Sequence, residues 1–168
     1  MLVAAVSRFL GVLAVVAGLG GFVLLAMRSH PASAVVRAHA RSLAAAVAVT
    51  ATAGSLYYSE VAGFVPCELC WWQRIAMYPL AVLLPLAAIR RDGAIRPYAQ
   101  LLAGLGLVVS LWHVAVQRIP ALSGATTCAA DAPCTAIWVE VFGVLTIPTM
   151  AACGFLAVAV LMSVRTDA

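Results

Sequence analysis

The chain has 168 residues, of which 65% are hydrophobic and only 10% charged, with a mean hydropathy of +1.08 and a formal charge of +4. That leaves too little polar surface to cover a water-soluble globule, so much of the apolar surface has to face lipid. The apolar residues come in continuous Leu/Val/Ala runs without period-two alternation, which excludes a membrane barrel and leaves helices, each satisfying its own backbone hydrogen bonds.

Five runs are near or above the ~18 to 20 residues that cross a ~30 Å hydrocarbon core: 9–27, 43–64, 71–89, 98–116 and 138–164. The first follows one arginine and so also resembles a signal sequence. Its length and lack of a distinct cleavage region favour retention, with His30-Pro31-Ala32-Ser33-Ala34 as the processing site of the alternative. The other four pair into two hairpins, for which a four-helix bundle is the economical packing. The expected fold is therefore all-α and polytopic: an additional N-terminal transmembrane segment and cytoplasmic loop over 1–42, then a four-helix transmembrane bundle over 43–168. Gly54, Gly104, Gly106, Gly143 and Gly154 are the small residues expected to let helices approach closely, and Pro79, Pro85 and Pro148 are expected to kink spans.

Charge orients the bundle. All ten basic residues are arginines, and Arg28, Arg37, Arg41, Arg90, Arg91, Arg96 and Arg165 fall in the 28–42 loop, the 90–97 loop or the C-terminal tail. These regions share one side of a five-span topology, which is then cytoplasmic. The other side carries Glu60, Glu68, Asp131 and Glu140 against Arg8 and Arg118, together with both cysteine pairs, which thereby face the compartment where disulfides persist. Topology alone accounts for the basic loops, so nucleic acid is not an expected partner.

Cys67-Glu68-Leu69-Cys70 opens a span between Pro66 and the interfacial Trp71 and Trp72. At a helix N-terminus the free amides and the dipole favour a thiolate, and Cys70 is placed at or near that terminus. Arg74, one turn deeper on the same face, is a costly cation in a span; it suits a thiolate or the oxygen of a bound quinone. The bland alternatives are a snorkelling arginine beside an inert staple, and a Cys₄ zinc centre made from two cysteine pairs. A four-residue loop gains little from bridging, and Trp71 in place of histidine rules out haem attachment. Cys128 and Cys134 lie in the loop 117–137 among Ser123, Gly124, Thr126, Thr127 and Pro133, read as exposed and mobile. Alone they suit a loop staple as well as exchange with an outside protein; beside the first pair they suggest a relay. Cys153, inside the last run, reads as a small apolar side chain.

The run Gly63-Phe64-Val65-Pro66-Cys67-Glu68-Leu69-Cys70-Trp71-Trp72-Gln73-Arg74 fits Pro-Cys-x-x-Cys-x-x-x-Arg. With Cys134-Thr-Ala-Ile-Trp138, Phe142-Gly143 and Thr146-Ile147-Pro148, it resembles the bacterial disulfide-bond-formation protein B (DsbB) family and its shorter BdbC-like relatives over about 43–164. The resemblance implies a four-helix membrane bundle in the bacterial cytoplasmic membrane, acting as a thiol:quinone oxidoreductase. Cys128/Cys134 would oxidise a DsbA-like thioredoxin-fold partner and be reoxidised by Cys67/Cys70, and Cys70 would pass the electrons to a membrane quinone, ubiquinone or menaquinone. It also implies quinone-site roles for Arg74 and for His113, which with Gln117 matches a His-x-x-x-Gln pattern. Two features depart from the family pattern of long-loop, four-span members: the short spacing of the second pair and the extra N-terminal span.

The sequence carries no nucleotide, phosphate-loop or flavin motif, so the acceptor is expected from the membrane. A vitamin K epoxide reductase-like protein is the nearest enzymatic rival, but there the loop pair precedes the membrane Cys-x-x-Cys, and here it follows. The rival from another class is a stapled or metal-binding membrane scaffold, whose cysteines would keep a fixed redox state.

Overall fold

The computed structural model describes residues 1–26, 34–125 and 128–164. Among them the apolar runs form six α-helices: α1 (Leu2–Ala26), α2 (Ala34–Ala38), α3 (Ala40–Leu56), α4 (Glu68–Arg90), α5 (Ile95–Arg118) and α6 (Ile147–Ser163). Helices α1, α4 and α5 are long and apolar enough to cross a membrane. At ~1.5 Å per residue the 17-residue α3 and α6 span about 26 Å, and α3 is prolonged by a π-helical turn, Tyr57–Val61.

The breaks between helices have local causes. Helix α4 ends where Arg91 takes a left-handed conformation (φ 54°) and the amides of Arg91 and Asp92 return to Ala88 O and Ala87 O. Asp92 Oδ1 then accepts from the Ala94 amide at 2.8 Å, and α5 begins, so α4 and α5 are antiparallel neighbours. Pro79 and Pro85 lie inside the continuous α4, whereas Pro148 stands in the first turn of α6 and starts that helix. It is therefore not the expected mid-span kink, because a first-turn proline gives up an amide that has no helical partner anyway.

Helices α3, α4, α5 and α6 close a ring, α3 on α4, α4 on α5, α5 on α6 and α6 back on α3, and α1 packs on the outside of α6. The core holds Leu80, Leu84, Phe155, Val158 and Met162 against Ala44, Ala48, Ala99 and Ala103. Gly106 admits the Phe155 ring, and a Cβ on Gly54 would meet Leu10 at 2.9 Å, so both serve close approach as expected. Gly104 faces open space instead.

The last run is shorter than its hydropathy suggests. Residues 138–146 do not belong to a span: Glu140–Val141 (β1) pairs antiparallel with Leu145–Thr146 (β2). The turn between them places Phe142 (φ 54°) and Gly143 (φ 71°) in the left-handed region, the geometry that suits a tight hairpin, so Gly143 is a turn residue rather than a helix contact. Arg118 Nη2 donates to Glu140 Oε1 (2.8 Å) and Val144 O (3.2 Å), tying the hairpin to the end of α5. Of the alternative processing site, residues 30–33 lie outside the described residues, as do Arg28 and Arg165.

Candidate functional site

Helix α4 begins at Glu68, so its N-cap is Cys67, whose sulfur accepts from the Cys70 amide at 3.4 Å. Cys67 and Cys70 stand as a dithiol with sulfurs 2.8 Å apart. Cys67 is buried, and its sulfur also faces His113 Nε2 at 3.7 Å. The hydrogen bond from the Cys70 thiol, and after it the His113 ring, lower the Cys67 thiol pKa to about 4, outweighing burial. In this dithiol the anionic sulfur is thus that of Cys67, one helical turn before the Cys70 position favoured on sequence grounds.

His113 is 2% exposed near the end of α5. Its Nε2 lies 3.0 Å from Cys134 O, a group that only accepts, and its Nδ1 lies 3.0 Å from Gln73 Nε2. The Cys134 carbonyl, which only accepts, requires a proton on Nε2, shared between that carbonyl and the Cys67 sulfur. Gln117, one turn further, donates to Ala136 O at 2.9 Å, so two successive turns of α5 hold the backbone that carries Cys134.

Cys128 and Cys134 are disulfide-bonded. Contrary to the expectation of an exposed pair, Cys134 is 2% exposed and packs with Cys67 and Val116, while Cys128 is half-buried at the rim of this cluster. The ligand-type atoms of Cys67, His113 and Cys134 all lie within 4.8 Å of one another. Such a set has metal-ligand composition, but the Cys134 sulfur is here bonded to Cys128 and the histidine proton is engaged with Cys134 O. What the geometry presents is a thiol beside a disulfide, the arrangement required for exchange.

Arg74 lies on another side of Cys70. Its Nη2 donates to Ser55 O at 3.2 Å, and its guanidinium sits 5.2 Å from the Trp71 ring and 5.9 Å from the Tyr78 ring. Among the described residues no carboxylate pairs with it. Arg74, Cys70 and Gln73 border a cavity of about 730 Å³ that runs between α1, α3, α4 and α6. Apart from Thr50 its polar groups gather at that end, which Tyr58, Phe64 and Trp138 also line, their rings stacked in series at 5.8 and 5.3 Å. The sites of sequence interest therefore divide in two. Cys67, Cys134 and His113 meet in one cluster and Arg74 borders the cavity, while Cys70 belongs to both. Sequence reasoning gave no role to Gln73 or to Tyr58. A polar residue three positions after Cys70, on the face turned inward, was the available signal for Gln73; the π turn that presents Tyr58 left no sequence signal.

A family described as "Disulfide bond formation protein DsbB" matches residues 37–164. Disulfide bond formation protein C of Bacillus subtilis is 40% identical over 116 residues, covering 69% of this chain and 84% of that protein. The probable disulfide formation protein of Oceanobacillus iheyensis is 45% identical over 117 residues (68% and 79%), and the probable disulfide formation protein C 1 of Bacillus cereus is 44% identical over 110 (66% and 79%). No solved structure matches the chain.

Proposed function

The chain belongs to the DsbB family of disulfide bond formation proteins, and from that premise we propose that it is a membrane thiol:quinone oxidoreductase reoxidising a DsbA-like thioredoxin-fold partner. The observation that carries the reading is the contact of Cys67 with Cys134 beside His113, which puts the two cysteine pairs within exchange reach.

A partner thiolate attacks Cys128, the less buried sulfur of the loop disulfide, and displaces the Cys134 thiolate; the partner's second thiol resolves the mixed disulfide, leaving the partner oxidised and the loop a dithiol. Cys134 then attacks the oxidised Cys67–Cys70 pair at Cys67, displacing Cys70, and Cys128 resolves the Cys67–Cys134 bond. The loop disulfide is restored and Cys67/Cys70 is left reduced, the state described above. A quinone is the second substrate and takes up two electrons and two protons as Cys67–Cys70 closes. The cavity fits it: an apolar slot with Cys70 and the unpaired Arg74 cation at its polar end. His113 holds the Cys134 backbone and shares its proton with Cys67 during exchange. A DsbA-like oxidant at about −120 mV needs a still more oxidising acceptor, which a respiratory quinone supplies.

The arginine-rich end supports a cytoplasmic-membrane orientation with the cysteines extracytoplasmic. The test is anaerobic quinone reduction by the detergent-solubilised protein with a reduced thioredoxin-fold dithiol. Wild type is expected to turn over, and Cys70→Ser and Cys128→Ser to lose turnover by at least about a hundredfold. Wild type that reduces no quinone, or mutants that match it, would leave the stapled scaffold as the better description.

A further inference from the structure

The family match begins at residue 37, yet the cavity behind Cys70 has a wall made by α1, which lies wholly before it. Leu10, Leu13, Ala17, Gly20 and Leu24 border the cavity along the C-terminal part of α1. The opposite wall, on α3 and the π-helical turn that prolongs it, runs from Leu43 to Ser59, and Leu43 to Ser55 alone is about 18 Å of helix. Polar groups stand at the Cys70 end; beyond them, apart from Thr50, the lining is Leu, Val, Ala, Gly, Met and Phe155.

Two kinds of contact fix α1 in this place. Its small residues seat it on α6: a Cβ on Gly18 would come 3.1 Å from the Cys153 sulfur, and one on Gly21 would come 3.3 Å from Ala157 Cα. At the outer end the Tyr58 hydroxyl donates to Ser7 Oγ at 3.1 Å, and Leu10 fills the notch at Gly54. These contacts hold α1 across the slot from α3, from the polar end beside the redox pair along the apolar length. A quinone ring needs only the polar end.

We propose that α1 is a wall of the substrate site that holds the polyisoprenoid tail of the quinone, making the protein selective for long-tailed over tail-less quinones. The proposal rests on the quinone reading above. The occupant is argued from continuity: the apolar lining runs on into the end bordered by Cys70 and Arg74, so a quinone whose ring sits at that end has its tail directed along the slot.

The experiment compares a long-tailed isoprenoid quinone with a tail-less analogue of the same ring, in the full-length protein with a reduced thioredoxin-fold dithiol. Gly20→Trp fills the slot; a Cβ at Gly20 meets nothing within 4 Å, so α1 keeps its seat on α6. Gly20→Leu is the milder second variant. Gly104→Leu, which adds bulk to α5 outside the slot, is the control. The expected result is a KM for the long-tailed quinone raised on the order of tenfold by Gly20→Trp and less by Gly20→Leu, with the tail-less KM moving by no more than about twofold. If the two values rise together or neither moves, α1 is not the tail wall, although the quinone reading stands. If wild type reduces neither quinone, both readings fail.

Discussion

The chemistry of the site turns on which sulfur carries negative charge, and the Cys67 sulfur is placed to do so by three donors: the Cys70 thiol, the Cys70 amide and the His113 ring. A cysteine pKa near 4 lies below the unperturbed value of about 8.5. The shift is a depression, so the stabilisation it gives the folded reduced protein is complete above about pH 8.5 and is lost as pH falls through about 4. An ultraviolet titration of thiolate absorbance in the reduced protein should accordingly show a step near pH 4, and His113→Ala should move it upward. A first step that stays near the unperturbed value would remove Cys67 as the resident thiolate. The Arg74 guanidinium lies by two aromatic rings and its Nη2 is held by a carbonyl, a geometry an ammonium does not reproduce. Arg74→Ala should raise the quinone KM roughly tenfold, about 1.4 kcal/mol, and Arg74→Lys should restore little of it. Full rescue by lysine would mean that charge alone matters there.

Helices were legible where an apolar run was long and bounded by charge or a breaker, as with α4 and α5, whose observed ends lie within three residues of those expected. The run from Ile137 to Ile147 was not: Val, Phe and Leu serve a hairpin as readily as a span, and only Gly143 and Pro148 hint at the turn and the helix start. Glycines were equally ambiguous, since spacing does not say which face meets a neighbour. Gly104 and Gly106 separate the two cases within one helix turn. A Cβ at Gly106 would overlap the fully buried Phe155 ring, whereas one at Gly104 meets nothing. Gly106→Ala should therefore destabilise the detergent-solubilised protein by roughly 1–3 kcal/mol in thermal unfolding. Gly104→Ala should be neutral or stabilising by up to about 1 kcal/mol, because alanine loses less backbone entropy in a helix. Equal effects would mean that α5 and α6 do not pack through Gly106.

The two ends of the bundle differ in charge and chemistry. Arg37, Arg41, Arg90, Arg91 and Arg96 stand where α2 to α5 begin or end on one side, and Glu60, Glu68, Asp131, Glu140 and the four paired cysteines stand on the other. That division was readable from the sequence, because loop charge and span count need no tertiary information. The meeting of Cys67, His113 and Cys134 was not, because it joins residues up to 67 positions apart, as the numbers 134 and 67 show, and depends on how the ring of helices closes. The proposed relay depends on this orientation, since in it Cys128 would meet a dithiol protein in an oxidising compartment while the arginines stay behind. Single-cysteine reporters in a background without the native cysteines test it. Asp131→Cys should react with a membrane-impermeant maleimide in intact spheroplasts, and Gly93→Cys, in the open α4–α5 turn, should react only after permeabilisation. The opposite pattern would put both cysteine pairs in the reducing cytoplasm, where a disulfide-forming relay has no substrate to oxidise.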